Sequence, residues 1–255
     1  RHHHDDHHDH DHDHDHHHGS THERRAHDDI ALTAHDDPRL TVLTAHPDAT
    51  AAAPFAGPDH PMRLLTRAKA FGEAWSDADS ARIQEVFDGL APGWSEDHVD
   101  PTKAAPVGDA LDRGELPIDG RWLEIGSGTG AGARVLTPVL DGAGGELVCT
   151  DLAAEMLAHA PELAPRARAD ASLLPFADDT FDAVLAINML LFPAEVTRVL
   201  RPGGSLLWVN TLGDQTPIHL PPSDVLDALA TGGHPNWSGT TANAGTGFWL
   251  AARQA

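Results

Sequence analysis

The segment Arg121 to Gly132 reads RWLEIGSGTGAG and combines a glycine-rich turn with a single carboxylate. Gly126, Gly128 and Ala131 fit the fingerprint of a dinucleotide-binding loop, in which glycines let the backbone approach a ligand closely. Such a loop ordinarily presents its N–H groups to a pyrophosphate. Glu124, two residues before the first glycine, instead favours a ligand that carries positive charge. The segment therefore predicts a cofactor-binding turn, and Glu124 indicates that the cofactor carries positive charge.

Three further polar side chains stand at the ends of apolar runs of strand length: Asp151, Asp170 and Asn188. In open α/β sheets, ligands bind beyond the carboxyl ends of the strands. We therefore expect these side chains and Glu124 to converge on one ligand. Each of the three also has a structural alternative. Asp151 would cap the helix that opens at Ala153, Asp170 would be a turn residue, and Asn188 would satisfy backbone groups of a loop.

The runs that carry these side chains alternate with helical or glycine-rich stretches. They are RWLEIG, ELVCTD, RARADA, FDAVLAIN, GSLLWVN and GTGFWLAAR. Strands that alternate with helices of about ten residues predict a parallel sheet covered by helices on both faces. The fold class is therefore α/β.

Upstream of the sheet, MRLLTRAKAFGEAW and DADSARIQEVFDGLAPGW place apolar residues at helical spacing from Met62 onward. We predict a small helical cap over residues 62–118 and the α/β core over 119–255. Asp79 or Ser80 suits the N-cap of the second helix. Trp94, ahead of the first strand, fits either the core or a flap over the cofactor.

Residues 1–61 differ in kind from the rest. Arg1 to His18 alternates histidine with aspartate and has nothing apolar to bury, so we predict a disordered tail. The stretch that follows is rich in Pro, Ala and Asp and is predicted to be a linker, in which Arg39 to His46 alone suits a short strand. Residue 1 is Arg and the domain-like pattern starts at Met62, which suggests that the protein itself begins there.

Composition excludes several function classes. A formal net charge of −22 disfavours a general nucleic-acid binder, because affinity for phosphate backbones comes mainly from Lys and Arg. No apolar run approaches the ~18 residues of a spanning helix, so no membrane partner is expected. The single cysteine, Cys149, forms no internal disulfide and falls in a strand-like run, where a buried thiol is expected. Without a secretory leader, the expected compartment is the cytoplasm.

Four segments carry a resemblance when taken in order: LEIGSGTG, CTDLAAEML, RADASLLPFADDTFDAVLAIN and RVLRPGGSLLWVN. Together they resemble the class I S-adenosylmethionine-dependent methyltransferases, over about residues 82–255. FDGLAPGW and QTPIHLPPSDVLDAL look like a bacterial subgroup of small methyltransferases. The resemblance implies a Rossmann-like, doubly wound, mainly parallel sheet of seven strands.

The resemblance also implies roles for the site residues, with S-adenosylmethionine as cofactor. Its sulfonium and ammonium suit the carboxylates better than a pyrophosphate would. By position, the methionine part meets Glu124, Gly126, Ser127, Gly128 and Gly130, the ribose meets Asp151, the adenine lies on Leu152, and its amino group meets Asp170 and Ala171. Asn188 completes the predicted cofactor site.

Methyl transfer is an in-line displacement, so the protein chiefly positions its reactants and excludes water. INMLLFPAEV stands where family members that methylate bases or amide nitrogens carry an Asn-Pro-Pro-Tyr-like element, which disfavours a nucleic-acid amine. We expect a small, partly apolar acceptor in a pocket formed by the cap helices, the Trp94 loop and QTPIHLPP. His98 and His219 are the candidate bases, if the acceptor must lose a proton.

Three other functions stay open. A nicotinamide oxidoreductase would require a catalytic Tyr-Lys or similar pair, and the chain has no tyrosine. A methyltransferase-like protein would bind the cofactor without turning it over. A metal-handling protein would use the His/Asp tail, which would bind divalent metal weakly at many interchangeable sites. No metal site is predicted in the domain itself.

Overall fold

The computed structural model describes residues 36–98 and 101–255, except the side chains of residues 95–98 and 101–103. Its centre is a sheet of eight strands in the order β1-β7-β8-β6-β5-β2-β3-β4. The strands are β1 (Leu40–Val42), β2 (Arg121–Ile125), β3 (Glu146–Asp151), β4 (Arg166–Arg168), β5 (Phe181–Ile187), β6 (Leu200–Asn210), β7 (Trp237–Ala244) and β8 (Gly247–Gln254). The helices are α1 (Pro61–Ala70), α2 (Asp77–His98), α3 (Pro101–Arg113), α4 (Ala131–Ala143), α5 (Ala154–His159), α6 (Pro193–Val199) and α7 (Pro222–Thr231).

The pairing within this sheet is mainly parallel. Among the described strands, every neighbouring pair is parallel except the two pairs that involve β8. The predicted Rossmann-like, mainly parallel α/β fold is therefore confirmed, with eight strands rather than seven. All six strand-length runs become strands, and β7 and β1 complete the sheet.

β1, the strand in addition to the seven expected, comes from the segment predicted to be a linker. β1 pairs in parallel with Gly239–Thr241 of β7, and the contact continues as His46 N–H donates to Asn243 O at 2.8 Å and Thr50 N–H to Gly245 O at 2.8 Å. The linker prediction is wrong for this stretch, and the strand expected within Arg39 to His46 is present. The physical reason is that β7 would otherwise offer unpaired N–H and C=O groups at a sheet edge. Residues 1–35, with the predicted disordered tail and its metal binding, lie outside the described residues.

Alternation along the central strands buries both faces of the sheet. Leu123 and Ile125 of β2 pack into a core on one face, whereas Trp122 packs into the core on the other. β5 divides in the same way, with Val184 on the first face and Leu185 on the second. Successive side chains of a strand point to opposite faces, so near-continuous apolar runs are what a sheet covered on both faces requires.

The cap helix α2 begins at Asp77, so its N-cap is Ser76 rather than the predicted Asp79 or Ser80. The Ser76 hydroxyl accepts from Asp79 N–H at 3.2 Å, and the Asp79 carboxylate accepts from Ser76 N–H at 3.1 Å. This reciprocal capping box satisfies two N–H groups at the helix start. Further along α2, Phe87, Ala91 and Trp94 pack on α5. The cap helix therefore lies on the edge of the sheet where the predicted site is.

Candidate functional site

The turn between β2 and α4 contains three glycines with left-handed backbone conformations. The φ angles are 64° at Gly126, 54° at Gly128 and 86° at Gly130, and side chains rarely tolerate such values. Ser127 N–H donates to Thr150 O at 3.0 Å, which fixes the turn against the end of β3. The loop thus brings backbone N–H groups close to the carboxyl ends of β2 and β3, as the glycine pattern predicts.

Two hydroxyls in this loop lack a hydrogen-bond partner. Ser127 Oγ and Thr129 Oγ1 are buried, and no described group bonds to either. A buried hydroxyl without a partner costs ~1–3 kcal/mol, so such a group in a native loop calls for a ligand or water. The donor set therefore fits a polar ligand with both donors and acceptors. Sequence reasoning missed Thr129, although its place between two loop glycines was a usable signal.

Glu124 lies inside β2 with only 2% of its surface exposed. Burial raises the pKa of its carboxyl to about 8. Hydrogen bonds from Cys149 and from the N–H groups of Ala133 and Gly132 lower the pKa, but burial outweighs them. A side chain at Gly132 would overlap the carboxylate, with its Cβ 2.8 Å from Glu124 Cδ. Gly132 is thus a site residue that the sequence analysis missed. Its signal was a glycine in the first turn of a helix.

Asp151 ties the glycine loop to the start of α5. Its Oδ2 accepts from Gly128 N–H at 2.8 Å, and its Oδ1 accepts from Ala153 N–H at 2.8 Å. Burial raises the pKa of Asp151, and the charge of Asp88 adds to it. Asp151 thus caps the start of α5, as the structural alternative predicted, and it also contacts the glycine loop. Because each carboxylate oxygen has two acceptor positions, Oδ1 and Oδ2 of Asp151 can still accept hydrogen bonds from ligand hydroxyls. Leu152 follows directly, at the half-exposed edge of the site.

Asp170 stands two residues after β4 and binds the cap. Its Oδ2 accepts from Trp75 Nε1 at 3.0 Å and from Ser80 Oγ at 2.7 Å, while its Oδ1 accepts from Ser172 N–H at 2.9 Å. Burial by itself would raise the pKa of Asp170, but the hydrogen bonds from Trp75, Ser172 and Ser80 outweigh it and lower the pKa. The neighbouring Ala171 is buried. The two cap donors were not predictable from the local pattern around Asp170.

Asn188 joins the ends of β5 and β6. Its Nδ2 donates to Thr211 Oγ1 at 2.8 Å, and its Oδ1 accepts from Thr211 N–H at 3.0 Å. Its own φ is 48°, a left-handed value that Asn adopts more readily than most residues. This arrangement matches the alternative in which Asn188 satisfies loop groups, and its contact with a cofactor stays a prediction.

The two candidate bases differ in how much the structure describes. His98 lies outside the residues whose side chains are described. His219 follows β6, and its ring meets Phe248 edge to face at 5.9 Å. Burial, and then the positive charge of Arg63, lower the pKa of His219 to about 4, so the imidazole is neutral at pH 7. It lies past the end of β6, whereas the predicted cofactor acids lie on and after β2, β3 and β4.

Trp94 of α2 lies over the glycine loop. Its Nε1 would stand 3.6 Å from a Cβ at Gly128, and its ring meets Phe87 edge to face at 5.6 Å. Trp94 is half-buried, as a side chain that covers the loop must be. Behind the loop a cavity of about 10 Å³ reaches Ser127 and Cys149, which is room for one water at most. The cap thus closes over the predicted cofactor site.

Two kinds of feature are absent from the described residues 36–98 and 101–255. No helix there is long and apolar enough to cross a membrane. No group of three or more His, Cys, Asp or Glu side chains that could hold a metal ion is found in the same described residues.

Residues 123–208 match the family model described as a methyltransferase domain. This span contains all the predicted cofactor residues, and it excludes the cap, His98 and His219. About a third of the chain is therefore similar to a methyltransferase domain, in the part where the sequence resemblance lies.

Curated relatives share part of this sequence. Over 100 residues the chain is 38% identical to phthiotriol/phenolphthiotriol dimycocerosates methyltransferase 1 of Mycobacterium ulcerans, over 35% of this chain and 37% of that protein. Over 98 residues it is 39% identical to the demethylmenaquinone methyltransferase of Mycobacterium tuberculosis, over 33% of this chain and 42% of that protein. The chain therefore spans about two fifths of the curated relatives it matches.

Solved structures share the fold. A methyltransferase dependent on S-adenosylmethionine from Aquifex aeolicus superposes with a TM-score of 0.50 at 16% identity, over 71% of this chain and all of that one. A second, from Thermotoga maritima, gives a TM-score of 0.51 at 16% identity, over 68% of this chain and 99% of that one. At such identities the likeness concerns the fold alone.

Proposed function

We propose that this chain, with a methyltransferase domain at residues 123–208, transfers the methyl group of S-adenosylmethionine to a small-molecule acceptor. The observation that carries the proposal is the glycine loop, which contains the unpartnered hydroxyls of Ser127 and Thr129 and follows directly on the strand of the buried acid Glu124. A dinucleotide would bring a pyrophosphate to this acid, which is unfavourable. A ligand with an ammonium and a carboxylate satisfies both the acid and the hydroxyls.

The cofactor residues follow from their places at the strand ends. In this proposal the methionine part lies on the loop residues Gly126, Ser127, Gly128 and Gly130, with Glu124 as its charge complement. Asp151 accepts from the ribose hydroxyls, since its two oxygens retain acceptor capacity. Leu152 packs on the adenine, Asp170 and Ala171 meet its amino group, and Asn188 closes the site from the end of β5.

The chain contributes alignment and exclusion of water to the reaction. When bound, the cofactor would supply a methyl group on a sulfonium: the acceptor would attack the methyl carbon in line, and the thioether of the demethylated product would leave. Holding two reactants in line can be worth ~7–11 kcal/mol of the barrier. Trp94 and the rest of α2 cover the loop and keep water from it. Because His219 is neutral at pH 7, it can take a proton from the acceptor, although its low pKa makes it a weak base.

The acceptor in this proposal is small and partly apolar. The two curated relatives described above are named for methyl transfer to phthiotriol dimycocerosates and to demethylmenaquinone, which are not macromolecular substrates. The net charge of −22 disfavours nucleic acid, as it does an anionic membrane surface. A cytoplasmic place of action is also part of the proposal, because the buried Cys149 is a free thiol.

Calorimetry with S-adenosylmethionine and its demethylated product tests the cofactor. We expect micromolar dissociation constants and no binding of NADH. Replacing Asp151 by Ala removes at least one charge-assisted hydrogen bond to the ligand and should weaken binding about tenfold or more, ~1.5–3 kcal/mol. Arg253→Ala, on the exposed end of β8, is the matched control and should bind as the wild type does. Unchanged affinity in Asp151→Ala would remove this residue from the site.

Incubation with S-adenosylmethionine and a bacterial metabolite extract tests the reaction. Products heavier by one methylene, found by mass spectrometry only with active protein, would identify the acceptor. Tight cofactor binding without any such product would instead favour a protein that binds the cofactor and does not turn it over.

A further inference from the structure

One carboxylate oxygen of Asp170, Oδ2, has no acceptor position left for a ligand. A carboxylate offers about four lone-pair sites. Trp75 Nε1 and Ser80 Oγ fill both sites of Oδ2, at 3.0 and 2.7 Å. Ser172 N–H takes one site of Oδ1 at 2.9 Å. Any further donor to Oδ2 must displace Trp75 or Ser80.

The three donors are not equally replaceable. Ser172 follows Asp170 by two residues, so its bond is local and persists when the cap moves. Trp75 and Ser80 belong to the cap, 95 and 90 residues earlier in the chain. Movement of the cap removes both of their bonds at once and frees one whole carboxylate oxygen.

On these contacts, and resting on the proposed function, we propose that Trp75 and Ser80 are built-in competitors for the base of the cofactor. They donate to Asp170 in the place of the adenine amino group, and the base enters when the cap segment that carries them withdraws. They are positioning residues that set cofactor affinity, since neither need touch the reacting atoms.

The competing segment is held as one rigid unit. The Trp75 ring packs edge to face on Phe192 at 5.2 Å. Lys69 Nζ lies 5.8 Å from the centre of the same ring and bonds to Glu73 at 2.8 Å. Asp79 closes the capping box at the start of α2. Because these contacts pre-order Trp75 and Ser80, little conformational entropy is lost when they bond to Asp170, so they compete effectively.

The rest of α2 makes contacts that do not involve Asp170. Asp88 Oδ1 accepts from Glu155 N–H at 2.9 Å, and Gln84 Oε1 accepts from Arg168 Nη2 at 2.7 Å. These bonds also hold the cap on the sheet edge. They therefore provide a control, because a variant that removes one of them loses a cap contact while Trp75 and Ser80 still donate to Asp170.

The test compares dissociation constants for the demethylated product of the cofactor, measured by calorimetry on the full chain. The double variant Trp75→Phe with Ser80→Ala keeps the ring against Phe192 and removes both donors. We expect it to bind about tenfold more tightly than the wild type. Gln84→Ala is the control and should change affinity less than twofold, while Asp170→Asn should weaken binding.

A second ligand tests whether the change in affinity arises at the adenine amino group. An analogue of the product with hydrogen in place of the adenine amino group makes no demand on Asp170, so wild type and double variant should bind it equally. Equal or weaker product binding by the double variant would overturn the competition, and so would the same tightening in Gln84→Ala or with the analogue. If neither wild type nor any variant bound the product, the proposed function itself would fail, and this inference with it.

Discussion

Cys149 Sγ lies 3.6 Å from Glu124 Oε2. The two residues are register partners on the neighbouring strands β3 and β2. Both side chains are buried, as the strand-like surroundings of the cysteine predict. Burial raises the pKa of the thiol, and the nearby carboxyl raises it further. With the pKa of Glu124 at about 8, the pair is a neutral thiol beside a neutral acid at pH 7.

This pair makes the stability of the ligand-free protein depend on pH. The folded state holds the Glu124 proton up to a pKa of about 8, against a usual value of 4.5. The cost of ionising the buried acid is therefore absent below about pH 4.5 and complete above about pH 8, so the unfolding free energy falls as pH rises through this window. Glu124→Gln keeps the shape and removes the titration.

Urea unfolding at pH 5 and pH 8 measures this contribution. The decrease in unfolding free energy should be larger in the wild type than in Glu124→Gln, by ~2 kcal/mol or more. The other titrating groups are common to both proteins and cancel in the difference. Equal pH dependence in the two would show that Glu124 is ionised in the folded state.

The same acid should couple cofactor binding to proton release. An ammonium near Glu124 favours the carboxylate, so binding at pH 7 expels the proton that the empty site holds. Calorimetry in two buffers with different ionisation enthalpies reports the number of protons released. We expect a value that approaches one for the wild type and none for Glu124→Gln, and proton-neutral binding by the wild type would contradict the pairing.

Gly132→Ala should destabilise the protein. The new Cβ would overlap the Glu124 carboxylate and lie 2.9 Å from Leu185 Cδ2, and neither neighbour has room to retreat in the core. Overpacking of this kind costs ~1–3 kcal/mol. Gly142→Ala on the same helix is the control, because nothing lies within 4 Å of its Cβ position.

The control should be neutral or stabilising by up to ~1 kcal/mol, since Ala favours helix over Gly. Thermal unfolding of both variants measures the difference. A Gly132→Ala protein as stable as Gly142→Ala would mean that Glu124 does not occupy the space beside α4.

Removal of residues 36–61 should destabilise the sheet. These residues supply β1, whose pairing with β7 covers that edge, and Arg39 adds an ion pair to Asp227 at 2.7 Å. A chain that begins at residue 36 should melt as the full chain does. A chain that begins at Met62 should melt at lower temperature and aggregate through the exposed edge of β7. Identical melting of the two shortened chains would show that β1 contributes nothing to stability.

The sequence alone determined the elements and the acids at their ends. Apolar runs of strand length and glycine turns are local signals. The strands that carry Glu124 and Asp151, the strand that precedes Asp170 and the glycine loop between β2 and α4 could therefore be predicted from neighbouring residues. The family match over residues 123–208 rests on these same segments.

Only the tertiary structure decided which distant groups meet. The cap donors to Asp170 lie 95 and 90 residues away, Asn188 is held by Thr211, and β1 pairs with a strand near the other end of the chain. No local pattern encodes such partners, because they depend on which strands become neighbours and on which edge stays open. The positions of the acids can be predicted from the sequence, whereas their hydrogen-bond partners are determined by the tertiary fold.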